Sequence, residues 1–466
     1  MARAEVLERD FDRSVLNRAA KPVDGQGAAP AEIGGSRTRG AFPRRASIGG
    51  EMAISMFSSQ ALPIAIDFGA ASIKMLQVMP DDPPTLVAAA ELEIPDAMRH
   101  DLSARMQFLG EQIPILLRKL RFKGKRAMFS IPSVHTFVQH VQAPTSGPIV
   151  GEEFINSTLM TQTGYAASNL VIRTAEVAEI VRDGTTRKET ICFAVSKDVV
   201  MRHIDLLKKC KLEVVGVHTE QHAISWAFNH LTRRREDSES IHLVVDLGWA
   251  STKAAISHGR SLFFAKTISL GGMHIERAAS AVRGCDVSAA RAILRAESEA
   301  ELAVFSNERS RTDAMNRAPQ AALAGAGSSG GRRDSTATAM DRRSDQQPRS
   351  LISSLSKDGA SGGAALMPEA GEIVESIADE LAMCLRYHQV HFGQRRIDQA
   401  IFAGGEANHL EFCRRIAQRL DVKPILADPL GRMRGFEAGS VIGIKPGTML
   451  PGWTVACGLC AGVEHS

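Results

Sequence analysis

Apolar positions along this chain fall into short runs separated by turn residues, and the runs come in two sets of one design. In the first, residues 64–67, 73–79 and 86–94, with a Pro/Asp turn at 80–84, predict a three-strand meander. A helix is predicted next, because Met106, Leu109, Ile113, Leu116, Leu117 and Leu120 recur at helical spacing. Arg118, Lys119 and Arg121 suit its C-terminal end, and Pro114 predicts a kink. The second set repeats the plan with strands at 243–246, 253–257 and 262–269, a His258-Gly259 turn, then Gly271-Gly272 and a helix through about Leu302. One folding unit is therefore expected to occur twice, without close sequence identity. A further apolar strand, 401–403, runs into Gly404-Gly405 and a helix from about His409.

Two stretches break the pattern. Residues 1–60 are rich in Arg, Gly, Ala and Pro and read as a disordered extension, although Leu7, Phe11 and Val15 sit at helical spacing. Met52 or Met56 would serve equally as a start. Residues 306–367, rich in Ser, Gly, Ala, Arg and Asp, read as a disordered insertion within the second unit. At 466 residues the chain exceeds one core and suits two lobes. The formal charge of +4 lies largely in the aperiodic stretches, so no nucleic-acid partner is expected. Seven cysteines give no disulfide framework, and no apolar window reaches the roughly 18 residues of a spanning helix. A cytoplasmic protein is expected.

Both sets pass through the same turn: Ile66-Asp67-Phe68-Gly69 in the first and Val245-Asp246-Leu247-Gly248 in the second. With Leu212 to Glu220, Leu270-Gly271-Gly272, Ala403-Gly404-Gly405 and a closing Ala456-Cys457-Gly458-Leu459, they form an ordered set. The set resembles the actin-like ATPase superfamily, with an FtsA-, actin- or Hsp70-type nucleotide cleft, and within it the PilM-like type IV pilus assembly proteins. The resemblance covers about residues 62–462. It implies an α/β fold: a duplicated, actin-like (RNase H-like) two-lobed ATPase fold with an inserted small α+β subdomain. Residues 61–132 and 190–240 would form the first lobe, 133–189 the insertion and 241–462 the second lobe.

The resemblance also implies a site for ATP and Mg²⁺. Glycines after the aspartates let backbone amides turn toward phosphate oxygens, and a hydroxyl or ammonium can add to them. The cofactor-binding residues expected are Asp67, Gly69, Ser72 and Lys74 from the first turn and Asp246, Gly248, Ser251, Thr252 and Lys253 from the second. Gly271, Gly272, Gly404 and Gly405 complete the set. Asp67 and Asp246 are the expected metal-holding residues, mainly through waters. Glu220 is the expected water-orienting residue, with Gln221 second; a helix N-terminal carboxylate would look the same.

Two departures stand against this set: Ala70 and Ala71 supply no hydroxyls, and Trp249 stands where a small residue would admit phosphate. Its indole packs outward or fills the pocket. Cys457 and Cys460, and Cys384 with His388 and His391, read as core residues rather than metal ligands.

Function follows as an expectation. The resemblance implies an ATP-binding scaffold in the inner-membrane platform of a type IV pilus or type II secretion system, peripheral to the membrane. Its partners would be the platform proteins and the tail of a PilN-like protein, docked near 133–170; self-association stays open. If it is an enzyme, it is an ATPase. A sugar-kinase-like phosphotransferase or an FtsA-like cytoskeletal protein are the alternatives on the same fold.

Overall fold

A computed structural model describes residues 60–463, apart from 183, 233–238, 326–351, 355–367, 394–395, 436–439 and 445–447. The expectation for residues 1–59 lies outside the described residues.

Strand β1 (Ile64–Phe68) is buried along its whole length, which suits a central position in a covered sheet. It pairs antiparallel with β2 (Ser72–Met79), which pairs antiparallel with β3 (Thr85–Glu93). On its other side β1 pairs parallel with β4 (Arg126–Ile131), and β4 with β8 (Glu213–Thr219). Helix α1 (Leu102–Lys119) crosses between β3 and β4, capped by Asp101, whose side chain accepts from the amides of Ser103 and Ala104.

The second sheet repeats this arrangement. β9 (Ile241–Leu247), β10 (Thr252–His258) and β11 (Ser261–Ile268) form the meander; β13 (Gln399–Ala403) and β14 (Pro424–Ala427) add in parallel. The short β12 (Ile352–Ser354) closes that edge antiparallel to β14. Three antiparallel strands followed by two parallel ones therefore occur in both sheets, as the repeated apolar runs imply.

Between β4 and β8 lies a separate sheet, in the order β5 (Thr136–Pro144), β7 (Thr185–Ser196), β6 (Leu170–Arg182). Helix α2 (Gly151–Thr163) packs on one face of it through Ile155 and Leu159. Ile191 and Phe193 on the opposite face meet Ala265 of β11, so the inserted sheet leans on the second lobe. The expected end of the insertion at residue 189 is corrected, because β7 is one unbroken strand to Ser196. Helix α3 (Lys197–Lys209) then leads to β8.

Two further helices form the layer between the six-stranded sheets: α4 (Glu220–Trp226) and α9 (Thr454–Gly462). Ala223, Ile224, Ala456 and Leu459 join Ala65, Leu76 and Met128 of the first sheet to Val244, Ala255 and Ile401 of the second. Strand alternation produces this: Leu243, Val245 and Leu247 point instead to the outer core, with Ile275, Ile377 and Phe412. That outer layer is α5 (Gly272–Arg283), α6 (Val287–Gly325), α7 (Pro368–Phe392) and α8 (Leu410–Leu420).

Three expectations change here. The helix to Leu302 is two helices, because Gly284 takes a left-handed conformation that ends α5. α6 then continues to Gly325, past the expected start of the insertion at 306. The second lobe does not extend to 462: β15 (Val441–Ile442) pairs parallel with β3, and α9 packs against the first sheet. Among the described residues no helix is long and apolar enough to cross a membrane.

Candidate functional site

The two hairpins bring the same pair of residue types together. Asp67 stands opposite Lys74 in the β1–β2 register, and Asp246 stands opposite Lys253 in the β9–β10 register. Directly opposed residues project from the same sheet face, so each hairpin presents a carboxylate beside an ammonium. Both pairs line one cleft of about 760 Å³, together with Gly69, Ser72, Glu220, Ser251, Gly272, Gly404 and Gly405.

The ammonium groups have different partners. Lys74 donates to Ser72 Oγ at 2.9 Å and lies 3.3 Å from Glu91. Lys253 Nζ lies 2.6 Å from Asp246 Oδ1 and 3.6 Å from Glu220 Oε2. Burial alone would lower the pKa of each lysine; Glu91 and Asp67 outweigh it for Lys74, as Asp246 and Glu220 do for Lys253. Asp67 itself is raised well above the usual carboxylate range by burial, against the opposing pull of Lys74.

Glu220 opens α4, where Thr219 caps the helix by accepting from the amide of His222. Its carboxylate accepts from the Ser133 amide at 3.0 Å, and Ser133 Oγ meets Ser251 Oγ at 2.9 Å. Hydrogen bonds therefore span the floor of the cleft between the lobes. Glu220 lines the cleft, and its contacts with the Ser133 amide and Lys253 both fall on its Oε2.

Other expected residues lie elsewhere. Gln221 is completely buried and donates to Thr267 Oγ1 at 2.8 Å, away from the cleft. Thr252 is also buried, with its hydroxyl donating to the Leu270 carbonyl. Gly248 and Gly271 serve the backbone rather than the cleft wall: a Cβ on Gly271 would stand 2.4 Å from the Gly248 carbonyl oxygen. Gly404, at φ +88°, has the Leu247 backbone against it in the same way. By contrast a Cβ on Gly405 would meet nothing within 4 Å.

Trp249 neither points freely outward nor stands alone. Its Nε1 donates to Glu276 Oε2 at 3.0 Å, and its ring lies under the Arg99 guanidinium and beside His100. Around it runs an ionic network that local sequence spacing did not reveal. Arg291 of α6 donates twice to Glu276, at 2.7 Å each, and also reaches Asp96 of the first lobe. Arg295 reaches Glu93, which Arg99 also holds. Arg291 and Arg295 are four residues apart on one helix, the only local hint of a charged face. Replacing Arg291 with alanine is expected to cost about 3 kcal/mol, because Glu276 loses a nearly buried partner and the lobes lose a tie. Urea denaturation would measure it, with Trp249 emission moving to the red.

Gly404, Gly405, Glu406 and Asn408 also line the cleft. Burial, then the neighbouring Glu276, raises Glu406 to about 7. Asn408 Oδ1 is buried without a hydrogen-bond partner.

Of the two expected metal-holding residues, Asp246 does not fit a cation in this geometry. Asp246 is hydrogen-bonded to an ammonium, and Asp67 accepts from Ser130 Oγ at 3.4 Å. Among the described residues no three His, Cys, Asp or Glu side chains converge as metal ligands.

No protein-family model and no curated protein matches this chain. Solved structures do. A PilM-PilN type IV pilus biogenesis complex is similar over 85% of this chain and 97% of that one, at 15% identity and a TM-score of 0.58. The ethanolamine utilization protein EutJ from Carboxydothermus hydrogenoformans is similar over 86% and 89%, at 12% identity and 0.41. MreB5 of Spiroplasma citri bound to ADP is similar over 86% and 96%, at 10% identity and 0.41. At these identities the likeness is one of fold: the chain has the duplicated, two-lobed actin-like architecture.

Proposed function

We propose that this chain is an ATP-binding scaffold of a type IV pilus or related secretion assembly, held at the inner membrane by the tail of a PilN-like protein. The observation that carries the nucleotide reading is the convergence of two Asp–Lys hairpins and the Gly404-Gly405 turn on one cleft. Lys74 would meet phosphate oxygens, hairpin amides would add to it, and Gly405 would lie against the nucleoside. Binding is favoured over turnover. A water-orienting carboxylate needs an acceptor free to turn toward the γ-phosphate, and Glu220 is pinned through Oε2 by the Ser133 amide and Lys253.

Gly405 provides the test. A Cβ there meets open space, so Gly405→Val is expected to fold with the native melting temperature while losing ATP affinity at least tenfold by calorimetry. Unchanged affinity in the folded variant would refute this placement of the nucleoside.

The partner reading is supported by the likeness to the PilM-PilN complex. The tail is proposed to dock on 133–170, where Met160 and Tyr165 are half exposed. Nucleotide and tail would couple through the lobe angle, so a tail peptide should tighten ATP by the factor by which ATP tightens the peptide. Equal ATP affinity with and without saturating peptide would defeat the coupling and leave the docking itself intact.

A further inference from the structure

The two hairpins are alike in sequence and register, yet only the second brings its lysine into contact with its own aspartate. Lys74 leans away to Ser72 and Glu91, whereas Lys253 stands 2.6 Å from Asp246 and 3.6 Å from Glu220. Lys253 and both carboxylates line the cleft and are nearly buried, at 6%, 3% and 5% exposed. The ammonium also lies against the hairpin turn: a Cβ on Gly248 would stand 2.9 Å from Lys253 Nζ. A divalent cation held by Asp246, directly or through its water shell, would have to share that space with a positive charge already hydrogen-bonded to the carboxylate. At such separations between nearly buried groups, the repulsion outweighs what a second carboxylate such as Glu220 returns.

We infer that Lys253 is a built-in cation, seated between Asp246 and Glu220 where a nucleotide-bound divalent metal would otherwise be held, so that ligand binding in this cleft does not depend on Mg²⁺. A lysine suits the role because its ε-ammonium is a compact point charge with three donors. It can donate to Asp246 and still pair with Glu220 from one position. The same contact engages Glu220, so one residue accounts for both a dispensable metal and an occupied water-orienting carboxylate.

The inference deepens the nucleotide reading and rests on it only for the ATP measurement below. Mn²⁺ uptake without nucleotide, followed by electron paramagnetic resonance, addresses the seat directly. The native chain and its Asp246→Asn variant are expected to take up Mn²⁺ equally, since Asp246 holds none. Lys253→Asn, which leaves a polar group beside Asp246, is expected to gain one site at least tenfold tighter than any in the native chain. The double variant Lys253→Asn/Asp246→Asn should lose it. Native uptake that Asp246→Asn abolishes would overturn the inference, as would a folded Lys253→Asn chain that gains no site. If Lys253→Asn does not fold, the comparison of the native chain with Asp246→Asn decides alone. ATP calorimetry on the native chain is expected to give affinities within threefold in Mg²⁺ and in EDTA, and a tenfold loss in EDTA would refute the inference. No ATP binding in either buffer would retire the nucleotide reading, and the Mn²⁺ comparisons would still decide the cation seat.

Discussion

Acidification from pH 7 to 5 is expected to remove several kcal/mol of stability. Burial holds His203, His218, His222 and His409 down to about 4, from an ordinary value of 6.5. Each is neutral in the fold and becomes charged in the unfolded chain below 6.5, so the unfolded state takes up the extra proton. Their contribution is complete above pH 6.5 and is lost as pH falls toward 4. Asp67 and Glu406 run the other way. Burial raises both, so the fold binds their protons first and gains stability as pH falls from about 7. Four histidines against two carboxyls leave a net uptake of roughly two protons on unfolding, or on the order of 2.7 kcal/mol per pH unit between 6.5 and 4. Glu189 adds to the loss below its ordinary 4.5: burial raises it, but hydrogen bonds from His140 and Tyr387 outweigh that and hold it lower. Thermal melts at pH 7, 6 and 5 would show the slope, and a flat series would contradict neutral buried histidines.

Gly458→Val is expected to destabilise the fold by about 3 kcal/mol or more. Here α9 meets α4 backbone to backbone: a Cβ on Gly458 would stand 1.8 Å from the Ala223 carbonyl oxygen, and one on Gly462 would stand 2.3 Å from the Trp226 ring. The carbonyl cannot move aside cheaply, because it already accepts from the Ala227 amide at 3.1 Å within α4. Overpacking a filled core typically costs about 1–3 kcal/mol, and here both sides are backbone fixed in helices packed onto both sheets. The shift in urea midpoint at constant m-value would measure it. Gly405→Ala, whose Cβ enters open space, is the matched control and should shift little.

Much of the fold was legible because its signals are local. The meander, the Asp-x-Gly turns and the glycine pair after β13 each depend on residues within a dozen positions of one another, and alternation alone places Val244 and Val245 on opposite faces. Cleft-lining residues were legible where a turn fixes them: Asp67, Lys74, Asp246, Lys253 and Gly404 are hairpin or strand-end positions. Gln221 and Thr252 were misread for a related reason. Each is adjacent in sequence to a residue that does face the cleft, and only the side-chain direction, set by the packing of α4 and β10, separates them. The end of the second lobe was missed because nothing local in residues 441–462 says which sheet they join; β15 and α9 fit the first sheet by shape.

The sequence by itself determined the repeated strand plan, the two acid–lysine hairpins and the tracts that carry no hydrophobic period, since these follow from backbone preference and side-chain alternation over short spans. Only the tertiary structure decided what meets across the cleft: Ser133 with Ser251, 118 residues apart, Arg291 with Asp96, 195 apart, and Lys253 with Glu220. Such partners are chosen when whole buried faces pack together and charged groups settle against whatever that packing brings near. Spacing along the chain does not encode that choice.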